Sequence, residues 1–272
     1  MSKKFKLGVI GSPIEHSLSP YIHSRFSRNE NINIEYLPYK VDKNDFNAFI
    51  KEFFKDAMSK GLNITLPHKK RAALIDGEIS NEARFINAVN TITNDKNKIY
   101  LHSTDGVGFI SDLHKDKNFN LKGTNILFIG AGAAAESILY RVAKEKTSHI
   151  SIMNRTEENA ERLIRKFSNF TSIDNANNFE SDYDLIINCS SAGLTGEFKP
   201  FKEIPIKKNS FFYDLNYSLV ETPFCKWALE RSDKVFDGMG MLVHQAAHSF
   251  YTWFEVFPDT SEVLKDLESM RE

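Results

Sequence analysis

Cysteine is scarce in this 272-residue chain: Cys189 and Cys225 are the only two. They lie far apart, with no Cys-x-x-Cys pair and no accompanying histidine cluster, so neither a disulfide framework nor a structural zinc site is expected. Long apolar runs are absent as well, and nothing approaches the ~20 uninterrupted residues that a membrane-spanning helix needs. The opening Met1-Ser2-Lys3-Lys4-Phe5 has the positive charge of a secretion signal, but the apolar run behind it is broken by Lys6, Gly8 and Gly11 and reads as a first buried strand. An excess of one charge is also missing. Lys and Arg number 35 against 36 Asp and Glu, for a net charge of -1, so no summed positive field favours nucleic acid or an anionic membrane as a partner. A soluble protein of a reducing cytoplasm is expected; any partner must be read from local sites, and composition does not choose between a monomer and a homodimer.

What is present is an ordinary globular composition, 41% hydrophobic and 26% charged, in a chain long enough for two modest cores. Strand-like apolar runs at Leu7 to Ile10, Ile34 to Val41, Leu62 to Leu66, Asn125 to Ile129, Ile150 to Met153, Leu185 to Cys189 and Phe211 to Leu215 alternate with helical patterns. The helical candidates are Asp45 to Lys60, Ala133 to Lys146, Glu157 to Phe167 and Met241 to Phe254, each with apolar residues at three- and four-residue spacing. Such alternation predicts an α/β fold with largely parallel sheets. Ser19-Pro20 predicts a helix start, with Ser19 as cap and Pro20 at the first helical position. Residues 120–124, ahead of a fresh strand, predict the start of a second domain, and Asp237-Gly238-Met239-Gly240 its exit.

The segment Asn125 to Ala135 joins an apolar strand to a helix through Gly130-Ala131-Gly132-Ala133-Ala134-Ala135, a Gly-x-Gly-x-x-Ala turn. Gly130 permits the tight turn, Gly132 lets a pyrophosphate approach the backbone, and Ala135 permits close helix-on-strand packing. Glycines between a strand and a helix also serve plain packing. The next strand ends in Asn154-Arg155-Thr156, where an NAD-binding chain carries an acid for the ribose 2′-hydroxyl. A guanidinium there offers a 2′-phosphate paired charge-assisted hydrogen bonds, which favours NADP as the cofactor.

Three further motifs lie outside this unit: Ser17-Leu18-Ser19-Pro20, Asn63-Ile64-Thr65-Leu66-Pro67-His68-Lys69, and Thr104-Asp105-Gly106-Val107-Gly108. Each is polar where the chain leaves a strand, the usual place for ligand groups in open α/β sheets. With Asn90-Thr91, Tyr213 to Tyr217, and Asp237 to Gln245, they occur in an order that resembles the shikimate dehydrogenase family, from Gly8 to the carboxyl-terminal helices.

The resemblance implies an N-terminal substrate-binding α/β sandwich at residues 1–110, a Rossmann-like NADP-binding domain at 111–237, and helices at 238–272 that return to the first domain. It implies interconversion of 3-dehydroshikimate and shikimate, a step of chorismate and aromatic amino acid biosynthesis. Lys69 takes the place of the acid/base group and Asp105 that of its partner. A lysine base at neutral pH needs burial or a cationic neighbour, and a paired aspartate pushes the other way, so the two are expected to share a proton through hydrogen bonds. Ser17 and Ser19 hold the substrate carboxylate in this scheme, while Thr65, Asn90, Tyr217 and Gln245 fix the ring hydroxyls. The cofactor falls to Gly130, Ala131, Gly132, Ala133, Ala134, Asn154, Arg155, Thr156, Asn159, Leu215 and Gly238. Asn159 departs from the family pattern, standing where a second basic residue is expected, and Glu157 and Glu158 beside it oppose a phosphate; Arg162 or Arg165 lies one or two helical turns on. His16, His68, His102, His244 and His248 lack ligand-like spacing, and no metal is expected. The rival readings are a quinate/shikimate dehydrogenase using NAD or both cofactors, and a catalytically silent shikimate-binding sensor.

Overall fold

A computed structural model of the chain describes residues 3–178, 182–190, 196–200 and 202–271. Two compact units emerge: one runs to Gly108 and takes up Val243–Asp266, and the other comprises Phe109–Leu242 and the residues from Leu267 onward. Among the described residues no helix is long and apolar enough to cross a membrane.

The first unit holds strands β1 (Phe5–Gly11), β2 (Ile34–Lys40), β3 (Ser59–Ile64), β4 (Glu78–Ile79), β5 (Thr91–Asp95) and β6 (Lys98–His102), and helices α1 (Ser19–Asn29), α2 (Phe46–Phe53), α3 (Lys69–Ala72) and α4 (Asn81–Ile86). Helix α5 (Asp105–Ser111) leads out of it. The sheet order is β2-β1-β3-β5-β6-β4. Pairing is parallel around β1 and between β4 and β6, but β5 is antiparallel to both β3 and β6, so the sheet of this half is mixed, with antiparallel pairing confined to β5. The β5–β6 hairpin closes on Lys96 and Asn97, both left-handed at φ 49 and 67, the pair of positive angles whose twist matches that of the flanking strands.

Strand β1 is buried on both faces because its side chains alternate: Leu7 and Val9 pack with Tyr36 and Trp253, while Ile10 joins Leu62, Ile64 and Val41. Fully burying each such aliphatic side chain contributes roughly 1.5–3 kcal/mol. Gly61 is required here, since a side chain would overlap the indole of Trp253, whose Nε1 donates to Ile92 O at 3.0 Å.

Three local expectations are corrected. The helix foreseen over Asp45 to Lys60 stops at Phe53, because Ser59 and Lys60 are taken into β3 beside β1; tertiary pairing overrides the helical spacing. Conversely, the strand foreseen to Leu66 ends at Ile64. Ser19 does not cap α1: Leu18 is the cap residue, and Ser17 Oγ accepts the Ser19 N–H at 3.3 Å.

In the second unit β7 (Asn125–Ile129), β8 (His149–Met153), β9 (Ile173–Asn175), β10 (Tyr183–Asn188), β11 (Ile206–Asp214) and β12 (Val235–Phe236) form a sheet ordered β12-β11-β10-β7-β8-β9. Every pairing in it is parallel. Counted from β7 the order is 3-2-1-4-5-6, the doubly wound arrangement whose strand order reverses between β7 and β10. Helices α6 (Ala133–Val142), α7 (Glu157–Phe167) and α8 (Pro223–Leu229) cross between strands. Helix α6 is four residues shorter than its apolar spacing suggests. The last helices are α9 (Met239–Phe254) and α10 (Ser261–Ser269).

Candidate active site

Lys69 opens α3 and Asp105 opens α5, and each sits where a strand has just ended. Lys69 Nζ donates to Asp105 Oδ2 at 2.7 Å, with the two side chains 25% and 9% exposed. The other carboxylate oxygen, Oδ1, accepts Asn90 Nδ2 at 2.8 Å. Both oxygens of Asp105 therefore face donors, one of them cationic, as a firmly held carboxylate requires. Asn90 also donates weakly to Gln245 Oε1 at 3.4 Å. Gly108 permits that approach, because a Cβ there would lie 2.6 Å from the Gln245 backbone nitrogen.

The structure thus gathers Lys69, Asp105, Asn90 and Gln245 into one polar cluster in the first unit. Thr65 is half-buried at the end of β3, its backbone N–H on Ile10 O at 2.9 Å. Ser17 and Ser19 sit together at the start of α1, Ser19 only 7% exposed. His68, fully buried, bonds Val41 O through Nε2 at 2.7 Å and stacks on Phe46. It holds the turn ahead of Lys69 rather than facing the cluster.

Sequence reasoning assigned no role to Asn63, Thr91, Thr104 or Ser249, which form a buried layer beneath Asn90. The first three lay in plain view within the motifs. Ser249 had a subtler signal: it stands four residues after Gln245 on α9, hence on the same helix face.

The second unit offers a site of another kind. Gly130, at φ 104, ends β7 in a conformation that favours glycine, and a Cβ on it would meet Ser190 N at 3.0 Å. At Gly132 a Cβ would point into open space, and Gly132, Ala133 and Ala134 are all exposed. The free N–H groups of the first turn of α6 therefore face solvent at the topological switch point, as a pyrophosphate site requires. Asn154 braces this turn with its whole amide, accepting Ala131 N–H at 3.0 Å and donating to Thr156 O at 2.7 Å.

Arg155 is exposed and makes no ion pair among the described residues. Thr156 and Asn159 are exposed beside it. The two more distant cations are otherwise engaged: Arg162 pairs with Glu136 at 3.0 Å, and Arg165 with Glu161 at 3.1 Å. Among the described residues, Arg155 is left as the free guanidinium at the end of β8. The residues present fit a 2′-phosphorylated dinucleotide, with backbone donors for its diphosphate and a cation for the added phosphate.

Tyr213 and Asp214 act as braces. Tyr213 OH donates to the buried Asp112 at 2.5 Å, and burial, with Asp112 second, holds its phenol well above the usual range. Asp214 accepts from Thr222 at 2.7 Å, Asn188 at 2.9 Å and Asn216 at 2.9 Å; its carboxyl is nevertheless raised by burial. Together they fix the turn that carries Leu215 and presents Tyr217, 38% exposed. Any side chain at Gly238 would overlap the carbonyl of Leu215, so these two expected cofactor residues are backbone neighbours. Tyr217, unlike the other expected substrate residues, belongs to the second unit. Cys225 is inert packing, as its thiol is pushed up to about 12 by burial.

A doubly wound sheet with an open glycine turn, joined in one chain to a second α/β unit carrying a Lys–Asp pair, defines a dinucleotide-dependent oxidoreductase of two units. Comparison with known proteins narrows the class. Residues 9–92 match the shikimate dehydrogenase substrate binding domain, residues 112–202 shikimate / quinate 5-dehydrogenase, and residues 238–268 the shikimate 5′-dehydrogenase C-terminal domain. The NADP(+) shikimate dehydrogenase of Janthinobacterium sp. (strain Marseille) is 36% identical over 267 residues, covering 95% of each chain. That of Legionella pneumophila subsp. pneumophila (strain Philadelphia 1) is 38% identical, covering 97% of this chain and 98% of its own. The crystal structure of shikimate 5-dehydrogenase from Thermus thermophilus with NADP(H) and shikimate superposes with a TM-score of 0.85 at 27% identity, covering 98% of this chain and 99% of the other. This chain belongs to the shikimate dehydrogenase family.

Proposed function

We propose that the chain is an NADP-dependent shikimate dehydrogenase of the cytoplasm, reversibly reducing 3-dehydroshikimate to shikimate. The observation that carries this reading is the Lys69–Asp105 pair, 2.7 Å apart and tied to Asn90. The first unit takes the substrate in this reading and the second the cofactor. NADP, when bound, accepts the hydride at carbon 4 of its nicotinamide, or supplies it as NADPH. In oxidation Lys69, as the neutral amine, takes the proton of the substrate hydroxyl and becomes the ammonium, which returns that proton in reduction, with Asp105 orienting the side-chain nitrogen through the 2.7 Å bond. Ser17 and Ser19 hold the carboxylate; Thr65, Asn90, Tyr217 and Gln245 fix the ring hydroxyls. So many directed bonds discriminate strongly, because an analogue lacking a hydroxyl leaves buried polar groups unpaired. Gly130 to Ala134 receive the diphosphate, Arg155 the 2′-phosphate, with Asn154, Thr156 and Asn159 around it, and Leu215 and Gly238 border the nicotinamide.

The test is initial-rate absorbance at 340 nm with shikimate and quinate crossed against NADP and NAD. Turnover confined to shikimate with NADP is expected. Quinate turnover or an NAD preference would move the protein to the broader quinate/shikimate activity. Silence of the folded protein in every combination would contradict an enzymatic role.

A further inference from the structure

The buried layer beneath Asn90 has a direction that can be worked out. Two main-chain groups cannot reverse their roles, and each pins one amide. The Thr104 N–H can only donate, and it lies 2.8 Å from Asn90 Oδ1. The Asn90 carbonyl can only accept, and it lies 3.2 Å from Asn63 Nδ2. Asn90 therefore turns its oxygen inward and its NH2 toward Asp105 Oδ1, while Asn63 turns its NH2 inward and its oxygen toward Tyr36 OH at 2.8 Å. Between the two fixed amides stands the hydroxyl of Thr91. It is fully buried, 3.3 Å from Asn63 Nδ2 and 2.9 Å from Asn90 Oδ1, with Ser249 Oγ at 2.8 Å. Since Asn63 Nδ2 can only donate to it, its single proton goes to Asn90 Oδ1 or to Ser249 Oγ, whose own proton has Gln245 O at 3.0 Å; of the two the amide oxygen is the stronger acceptor.

We infer that Thr91 is a positioning residue of the active site, joining the fixed Asn63 amide to the Asn90 amide so that Asn90 keeps its NH2 on Asp105. The inference rests on the reading of Lys69, Asp105 and Asn90 as the reacting cluster. With the Asn90 amide reversed, its oxygen would face the Asp105 carboxylate and repel it, and Asp105 would lose one of its two donors. Thr91 has no exposed surface through which to touch a ligand, so it acts through its buried partners, of which Asn90 is the one bonded to Asp105.

The test compares Thr91→Val, near in shape but without the hydroxyl, with Thr91→Ser, which keeps it. Turnover of shikimate by Thr91→Val is expected to fall about tenfold with KM for NADP unchanged, and Thr91→Ser to recover to within about twofold of the wild type. Wild-type turnover in Thr91→Val, or an equal loss in Thr91→Ser, would overturn the assignment. Should Thr91→Val fail to fold by circular dichroism, Ser249→Ala decides: it leaves the Thr91–Asn90 bond in place, and turnover within about threefold of wild type is expected. A larger loss would put the positioning in Ser249 and overturn it. A wild type inactive on shikimate would remove the functional reading itself, and this inference with it.

Discussion

The two units of this chain build their sites by opposite means. In the first, polar side chains are bonded to one another: Lys69 to Asp105, Asp105 to Asn90, Asn90 to Thr104, with most of the layer buried. In the second, the site is backbone and open space: an exposed helix start, glycines where side chains would intrude, and one guanidinium without an ion-pair partner among the described residues. On the function proposed above, the difference follows from the groups to be recognised. A small ring with several hydroxyls and a carboxylate is told from its analogues by many fixed polar partners, whereas a diphosphate is served by main-chain N–H groups and a helix terminus whatever the sequence around them.

This contrast predicts where substitutions will be felt. The largest effect is expected from Asp105→Asn, which keeps the shape of the pair but removes its charge: turnover should fall about 100-fold with little change in cofactor KM. Comparable changes in both would show that the sites are not built independently.

The interior of the first unit adds a pH dependence that the second is not expected to share. His23 is fully buried, stacked on Tyr36 at 4.4 Å, and burial pushes its pKa down to about 3. The unfolded chain then binds a proton between its ordinary pKa and about 3 that the folded chain refuses. Stability from the neutral ring is complete above the unfolded value and is lost as pH falls through this window. At pH 5 the loss is about 2 kcal/mol, from about 1.4 kcal/mol per pH unit. Thermal midpoints followed from pH 7 to pH 5 should drop less in His23→Phe than in the wild type; parallel curves would remove His23 as the cause.

Smaller effects are expected in the second unit. Arg155→Ala should raise KM for NADP about tenfold and KM for NAD by less than about twofold; equal weakening would show that Arg155 does not read the 2′-phosphate. Gly132→Ala sharpens the contrast further, since its Cβ would meet nothing in the protein. The thermal midpoint should be unchanged while KM for NADP rises about fivefold, and a drop in midpoint would mean that the turn is held by packing instead.

How legible these features were depends on whether the signal is local. The glycine turn and the strands on either side of it could be read directly, because tight turns, buried parallel strands and helix starts each constrain adjacent residue types. Lys69 and Asp105 are 36 residues apart and individually ordinary; only the ordered motifs suggested that they meet. The β5–β6 hairpin went unforeseen because Lys96-Asn97 lacks the glycine that marks most two-residue turns. The excess length assigned to α2 came from spacing alone, without the pairing of Ser59 against β1. Ser249 stands on α9 among other polar residues, with no motif but the four-residue step from Gln245 to single it out, and only the packed structure brings its hydroxyl to Thr91.

On the proposed function, the chemistry resides in the side-chain cluster of the first unit and cofactor capture in the backbone site of the second. The most direct test is to titrate NADPH into Lys69→Ala by fluorescence and measure turnover in the same preparation. Binding within about twofold of the wild type, with turnover lowered about 100-fold or more, is predicted. Loss of binding in step with turnover, or turnover left intact, would contradict it.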